Sequence, residues 1–377
     1  MSPVGSEVPG LANCHSHVVH RALRGRVRGA GSFWQWREQM YALTSVIDPD
    51  LLHRLARATY AEMRLAGITS VGEFHYLHHQ ADGAGYADPN ELGEAVIAAA
   101  SDVGLRICLL DTCYLTAGFG REPEGVQVRF SDGDVDAWVA RATDLAARHA
   151  GRDDVVVGSA VHSVRAVPAE QVPDVVAALP DAPLHVHVSE QPRENTECLA
   201  ATGLTPVALL AEAGVWSPRT TAVHATHLTY EDVAILGGSG AHVCFCPTTE
   251  AELGDGVGPS VALRDAGARL TLGSDSHTVI DLFAEARAVE MHERLTTGVR
   301  GAWTADQLWE AATATGHASL GLGPGEPVRV RGTVRTAGAE ELLWAAGAAD
   351  VLPPTGLDPD EVAAELETVV NDCWRRT

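Results

Sequence analysis

Residues 8–17 read Val8-Pro9-Gly10-Leu11-Ala12-Asn13-Cys14-His15-Ser16-His17, an apolar run that ends in two histidines one residue apart. Alternate residues of a strand point the same way, so His15 and His17 at the end of such a strand can share one ion. An H-x-H pair alone is a weak signal; its place in the chain gives it weight. With residues 8–14 as a first strand, seven further runs repeat the plan, at 68–74, 106–114, 155–161, 184–188, 220–225, 242–246 and 269–273. Between them lie amphipathic stretches such as 49–66, 135–150, 168–179, 206–213 and 230–236. Several stop at a glycine, as at Gly67 and Gly214, which suits a helix C-terminus. Near-continuous apolar strands alternating with helices indicate a parallel sheet covered on both faces, and eight such units indicate a closed (β/α)8 TIM-like barrel. A doubly wound open sheet is the competing arrangement. The position of the polar residues decides between them. His15, His17, Glu73, His75, His162, His187, Glu190, His224, His227 and Asp275 all fall at or just past the C-terminal ends of the runs. A barrel gathers those ends around one mouth, whereas an open sheet spreads them along an edge.

The 377 residues are 46% hydrophobic, enough for one large core, and the formal net charge of −23 argues against a nucleic-acid partner. No residue is a lysine, so all 27 basic residues are arginine. That excludes Schiff-base and P-loop chemistry and any carbamylated lysine bridging two metals. The seven cysteines are scattered without a C-x-x-C pair and read as buried free thiols. With no leader-like N-terminus and no apolar run long enough to span a bilayer, the sequence reads as a cytoplasmic protein without a membrane partner.

Three more constellations carry chemistry. His185-Val186-His187-Val188-Ser189-Glu190 ends the fifth run. Both histidines point the same way, so the residues alone leave open which is a ligand, the other being a core histidine bonded to backbone. Glu190 can reach a water on the ion as a proton shuttle. His224-Ala225-Thr226-His227 ends the sixth run, with His224 placed to bond the water or the substrate and His227 read as structural. Gly273-Ser274-Asp275-Ser276-His277 ends the eighth, where Asp275 is costly to bury without a cation or donor; a helix N-cap is the alternative. Three histidines and one carboxylate with an open position suit catalytic zinc, with iron(II) as the alternative. Such an ion would lower the pKa of its water towards neutral.

These residues, together with S-F-W-Q-W-R-E-Q-M-Y (32–41), G-E-F-H-Y-L-H-H (72–79), A-V-H-S-V-R-A-V (160–167) and C-P-T-T-E (246–250), make the chain resemble the amidohydrolase superfamily. Within it, the sequence is similar to the formimidoylglutamate deiminases of bacterial histidine breakdown over residues 8 to 320. The resemblance implies one zinc ion on His15, His17, His187 and Asp275, and Glu190, His224 and Asp275 as the proton-handling set. It implies Arg37, Tyr76, His162 and Arg165 as substrate contacts, with His20 at a position where some members carry glutamine. It implies hydrolysis of N-formimino-L-glutamate to N-formyl-L-glutamate and ammonia, the alternative being a sister deaminase or amide hydrolase with another small acidic substrate. It also implies a homodimer. Arginine forks for a substrate with carboxylates agree with this, and Arg37 and Arg165 are the candidates. The chain departs from the family at its ends. Only fourteen residues precede His15, and 321–377 is a short Gly/Pro-rich segment with a helix at 358–374. The small β-sandwich of the family is therefore expected to be reduced or absent, with 8–320 as the barrel.

Overall fold

The computed structural model describes residues 5–26, 33–331 and 338–377; Ser32 of the aromatic motif, and the side chains of Phe33, Trp34 and Gln35, lie outside the described residues. Eight strands form one parallel sheet in sequence order: β1 (Leu11–Ser16), β2 (Ile68–His75), β3 (Arg106–Cys113), β4 (Val155–Val161), β5 (Leu184–Val188), β6 (Thr220–His224), β7 (His242–Phe245) and β8 (Arg269–Leu272). The sheet closes through the segment that follows β8. The Asp275 amide donates to the His15 carbonyl at 2.9 Å, and the His17 amide donates to the Asp275 carbonyl at 3.2 Å. The doubly wound alternative is excluded, because an open sheet brings no contact between its first and last strands. A Cβ on Gly273 would sit 2.7 Å from the His15 Cβ, so only glycine lets the two ends of the barrel approach this closely.

Helices cover the outside for reasons visible in their sequences. Helix Pro49–Leu65 starts on Asp48, whose side chain accepts from the Leu51 amide, and turns Leu51, Leu52, Leu55 and Met63 into the core. Gly67 and Gly214, which follow helices, have φ of 84° and 76°, as the sequence reading required. The stretch 168–179 is not one helix. Pro173 has no N–H to donate, so a turn at Ala169–Gln171 gives way to a helix at Val172–Ala178.

Val8 does not belong to the first barrel strand. Pro9 and Gly10 break the run, and Gly5–Val8 pairs antiparallel with Val328–Arg331 in a separate two-stranded sheet. The expected sandwich is thus reduced to this small sheet, joined by a bridge from Val330 to Val351. Helix Pro359–Arg376 folds back on Pro49–Leu65 through Arg54–Asp372 at 2.7 Å, and the Trp374 indole donates to the Ala22 carbonyl. Among the described residues no helix is long and apolar enough to cross a membrane.

Candidate active site

Among the described residues, five that are not glycine have positive φ: Ser189, His224, Ala225, Asp275 and His277. All lie just past β5, at the end of β6, or past β8. Such backbone conformations persist only where the surroundings enforce them, and here they mark one end of the barrel. At that end His15, His17, His187 and Asp275 converge. His187 Nε2 lies 3.0 Å from His15 Nε2 and 3.3 Å from His17 Nε2, and Asp275 Oδ1 lies 3.6 and 3.5 Å from the same two nitrogens. Neighbouring donors on a zinc ion with bonds of about 2.0–2.1 Å stand about 3–3.5 Å apart, the spacing of these pairs.

The tautomers support the same interpretation. His17 Nδ1 donates to the Phe74 carbonyl and His187 Nδ1 to the His162 carbonyl, each at 3.0 Å. Their Nε2 atoms therefore face each other as lone pairs, an arrangement that repels unless a cation lies between. Burial, followed by the neighbouring imidazoles, holds His15, His17 and His187 well below the ordinary histidine pKa, in the neutral form that ligates metals. Burial pushes the Asp275 carboxyl up to about 7 against the pull of His224.

Next to this cluster, His224 Nε2 lies 3.8 Å from Glu190 Oε1 and 3.9 Å from Asp275 Oδ2. Burial opposes a charge on His224, but Glu190, Glu250 and Asp275 outweigh it and raise its pKa well above normal. His185, two residues down β5, is not in the cluster; its Nε2 faces the Ser319 carbonyl at 3.4 Å. His227 donates to the Asp255 carbonyl at 2.7 Å, a structural bond. Asp275 is not a helix cap, since Asp281 caps the helix that follows.

Glu73 and His75 end β2 yet point elsewhere. The Glu73 carboxylate accepts from Ser16 Oγ at 2.6 Å and from the Val18 amide at 2.7 Å. Because Ser16 gives its only proton to Glu73, His277 Nε2 must donate to Ser16 Oγ, and His277 Nδ1 accepts from Ser274 Oγ at 2.9 Å. Asn13 then donates to Ser274 Oγ at 2.8 Å. This directed chain ties the ends of β1, β2 and β8 behind the cluster.

A chamber of about 120 Å³ opens over these groups, walled by His20, Tyr76, His162, Arg37 and Arg165 among others. His20 Nε2 and Tyr76 Oη are hydrogen-bonded at 3.1 Å. Arg165 Nε lies 3.5 Å from the buried Glu194 carboxylate, and Arg37 stands over the Tyr41 ring at 5.4 Å. An outer cleft of about 900 Å³ continues from the chamber and shares both arginines with it.

The profile of the Amidohydrolase family matches residues 8–325, most of the chain and the whole barrel. The chain belongs to the amidohydrolase family. Among its relatives, the formimidoylglutamate deiminase of Pseudomonas aeruginosa is 37% identical over 97% of this chain and 80% of that protein. An 8-oxoguanine deaminase of the same organism is 28% identical over 77% of this chain and 65% of that protein. Among solved structures, an amidohydrolase from Brucella melitensis superposes with a TM-score of 0.89 at 30% identity, covering 98% of this chain and 90% of that one. An adenosine deaminase from Xanthomonas campestris with bound zinc gives a TM-score of 0.84 at 23% identity, over 98% and 86% of the two chains.

This amidohydrolase is thus a hydrolytic enzyme of a family that acts on C–N bonds. Reading the sequence missed one residue beside its site. Glu250 accepts from the Cys246 amide at 2.9 Å and from His224 Nδ1 at 3.3 Å, which leaves His224 Nε2 directed at Glu190 and Asp275. The C-P-T-T-E motif contained it, but only the fold brings the helix Pro247–Leu253 against β6.

Proposed function

We propose that this amidohydrolase hydrolyses the formimino group of N-formimino-L-glutamate, releasing ammonia and N-formyl-L-glutamate. The observation that carries the reading is the chamber itself, with a three-histidine, one-carboxylate cluster at its floor and two arginines, Arg37 and Arg165, at its rim. A substrate with an amidine at one end and carboxylates at the other matches that polarity. The similarity to the Pseudomonas aeruginosa deiminase supports it.

His15, His17, His187 and Asp275 would hold a zinc ion. Bound there, it supplies Lewis acidity and lowers the pKa of water. The remaining steps belong to the chain. Glu190 and Asp275, both within 4 Å of His224 Nε2, take the proton released as water adds to the formimino carbon. Glu190 or His224 then protonates the departing nitrogen, and Glu250 keeps His224 oriented throughout. Arg165, braced by Glu194, and Arg37 hold carboxylate at the rim, while Tyr76, His20 and His162 close the sides of the chamber. The same reading takes the expected barrel of 8–320, begun at Leu11, as the catalytic unit, and 321–377 as the remnant of a small domain, which Gly5–Val8 joins through the two-stranded sheet, plus a terminal helix. Seven buried free cysteines support a cytoplasmic location.

The test is ammonia release from N-formimino-L-glutamate by the zinc-loaded protein, beside Arg165→Ala. Steady release by wild type is expected. The variant should lose about ten- to a hundredfold in kcat/KM, the effect of removing a charge-assisted hydrogen bond, while keeping its metal. A metal-loaded wild type that releases no ammonia would overturn the assignment in favour of a sister deaminase.

A further inference from the structure

The chamber and the outer cleft meet at a neck formed by Arg37, Tyr41, Ala117, Gln127 and Arg165. Gln127 lies in the turn Gly125–Arg129, and its Oε1 accepts from the Glu124 amide at 3.2 Å. That bond fixes which way the amide faces, since a flipped amide would set two donors against each other. Gln127 Nε2 therefore points inward, donating to Tyr114 Oη at 2.8 Å and to Tyr41 Oη at 3.2 Å. A phenol oxygen that accepts here keeps its own proton to donate elsewhere. Both tyrosines line the chamber, and Tyr114 stacks edge-on to His162 with ring centres 4.9 Å apart. Burial and the neighbouring Tyr41 raise the Tyr114 pKa, while Arg165, the Gln127 hydrogen bond and Arg37 oppose that rise. The neck thus presents two phenol hydroxyls beside the Arg37 and Arg165 guanidiniums.

We propose that Tyr41 and Tyr114, oriented by Gln127, form a carboxylate subsite at the neck and set the preference for a substrate with two acidic groups. The proposal deepens the acidic-substrate reading above and rests on it. A purely structural role, pinning the helix Phe33–Ser45 to the turn, would lower melting temperature without selecting among ligands.

The test is calorimetric binding of N-formyl-L-glutamate to the metal-loaded protein, beside N-formyl-L-glutamine and N-formyl-4-aminobutyrate, which each lack one carboxylate. Tyr41→Phe and Tyr114→Phe are each expected to weaken binding of the dicarboxylate about tenfold, the loss of one hydrogen bond to a charged group. One of the two monocarboxylates, the one lacking the carboxylate held at the neck, should bind both variants as it binds wild type. Gln127→Glu should weaken the dicarboxylate by more than either phenylalanine, because its carboxylate draws both hydroxyl protons to itself. Unchanged affinity in the tyrosine variants would overturn the subsite. So would an equal loss for all three ligands, or a wild type that binds no dicarboxylate. A wild type that binds the dicarboxylate with this pattern, yet releases no ammonia from the formimino compound, would overturn the reaction and leave the subsite standing.

Discussion

Replacing His187 by alanine is expected to empty the metal centre, whereas His185→Ala leaves it filled. The two histidines differ by one step of two residues along β5, about 6–7 Å of strand rise, enough to move a side chain from the barrel mouth to the layer beneath. His187 Nε2 lies within 3.3 Å of the ring nitrogens of His15 and His17, while His185 faces the Ser319 carbonyl. Loss of an outer hydrogen-bonding partner weakens metal sites by about ten- to a hundredfold; loss of a ligand should exceed that. Metal content after dialysis against a weak chelator should therefore be near zero in His187→Ala and unchanged in His185→Ala. Equal retention in both would remove His187 from the ligand set.

The second large effect concerns the proton path. Glu190→Gln keeps the shape of the side chain and removes its basicity, and is expected to reduce kcat by about 10²–10⁴ while metal content stays at the wild-type level. Glu250→Gln should cost less. Its amide can still meet His224 Nδ1 through an oxygen but no longer balances a charge on the ring. Stopped-time ammonia assays on metal-loaded variants decide this. A Glu190→Gln enzyme with wild-type turnover would leave His224 and Asp275 to carry the proton without it.

The barrel was legible because buried parallel strands write themselves as short β-branched runs, and 155–161 and 184–188 match β4 and β5 end for end. The first run was misjudged at its start, since Val8 looks like a strand residue whether or not Pro9 and Gly10 separate it from β1. The histidines and Asp275 were legible as residues at strand ends, because the fold gathers those ends. What periodicity could not supply was depth, and hence the choice between His185 and His187. Nor could it supply partners from elements distant in sequence. Glu250 reaches His224 from a helix after β7, and Gln127 reaches Tyr41 and Tyr114 from a turn that no pattern announces. The positive φ at Asp275 and His224 was equally invisible, because Asp275 sits where the segment after β8 bonds back to β1, and His224 sits where the end of β6 bonds to β5 through the Ala225 amide and the Val188 carbonyl.

Binding, turnover and substrate orientation all require a single ion held by three imidazoles and one carboxylate. The most direct measurement is metal stoichiometry on the purified protein combined with X-ray absorption at the metal edge. One zinc per chain is expected, with nitrogen and oxygen neighbours only. Two ions per chain, or a sulfur neighbour from the buried cysteines beneath the site, would contradict it.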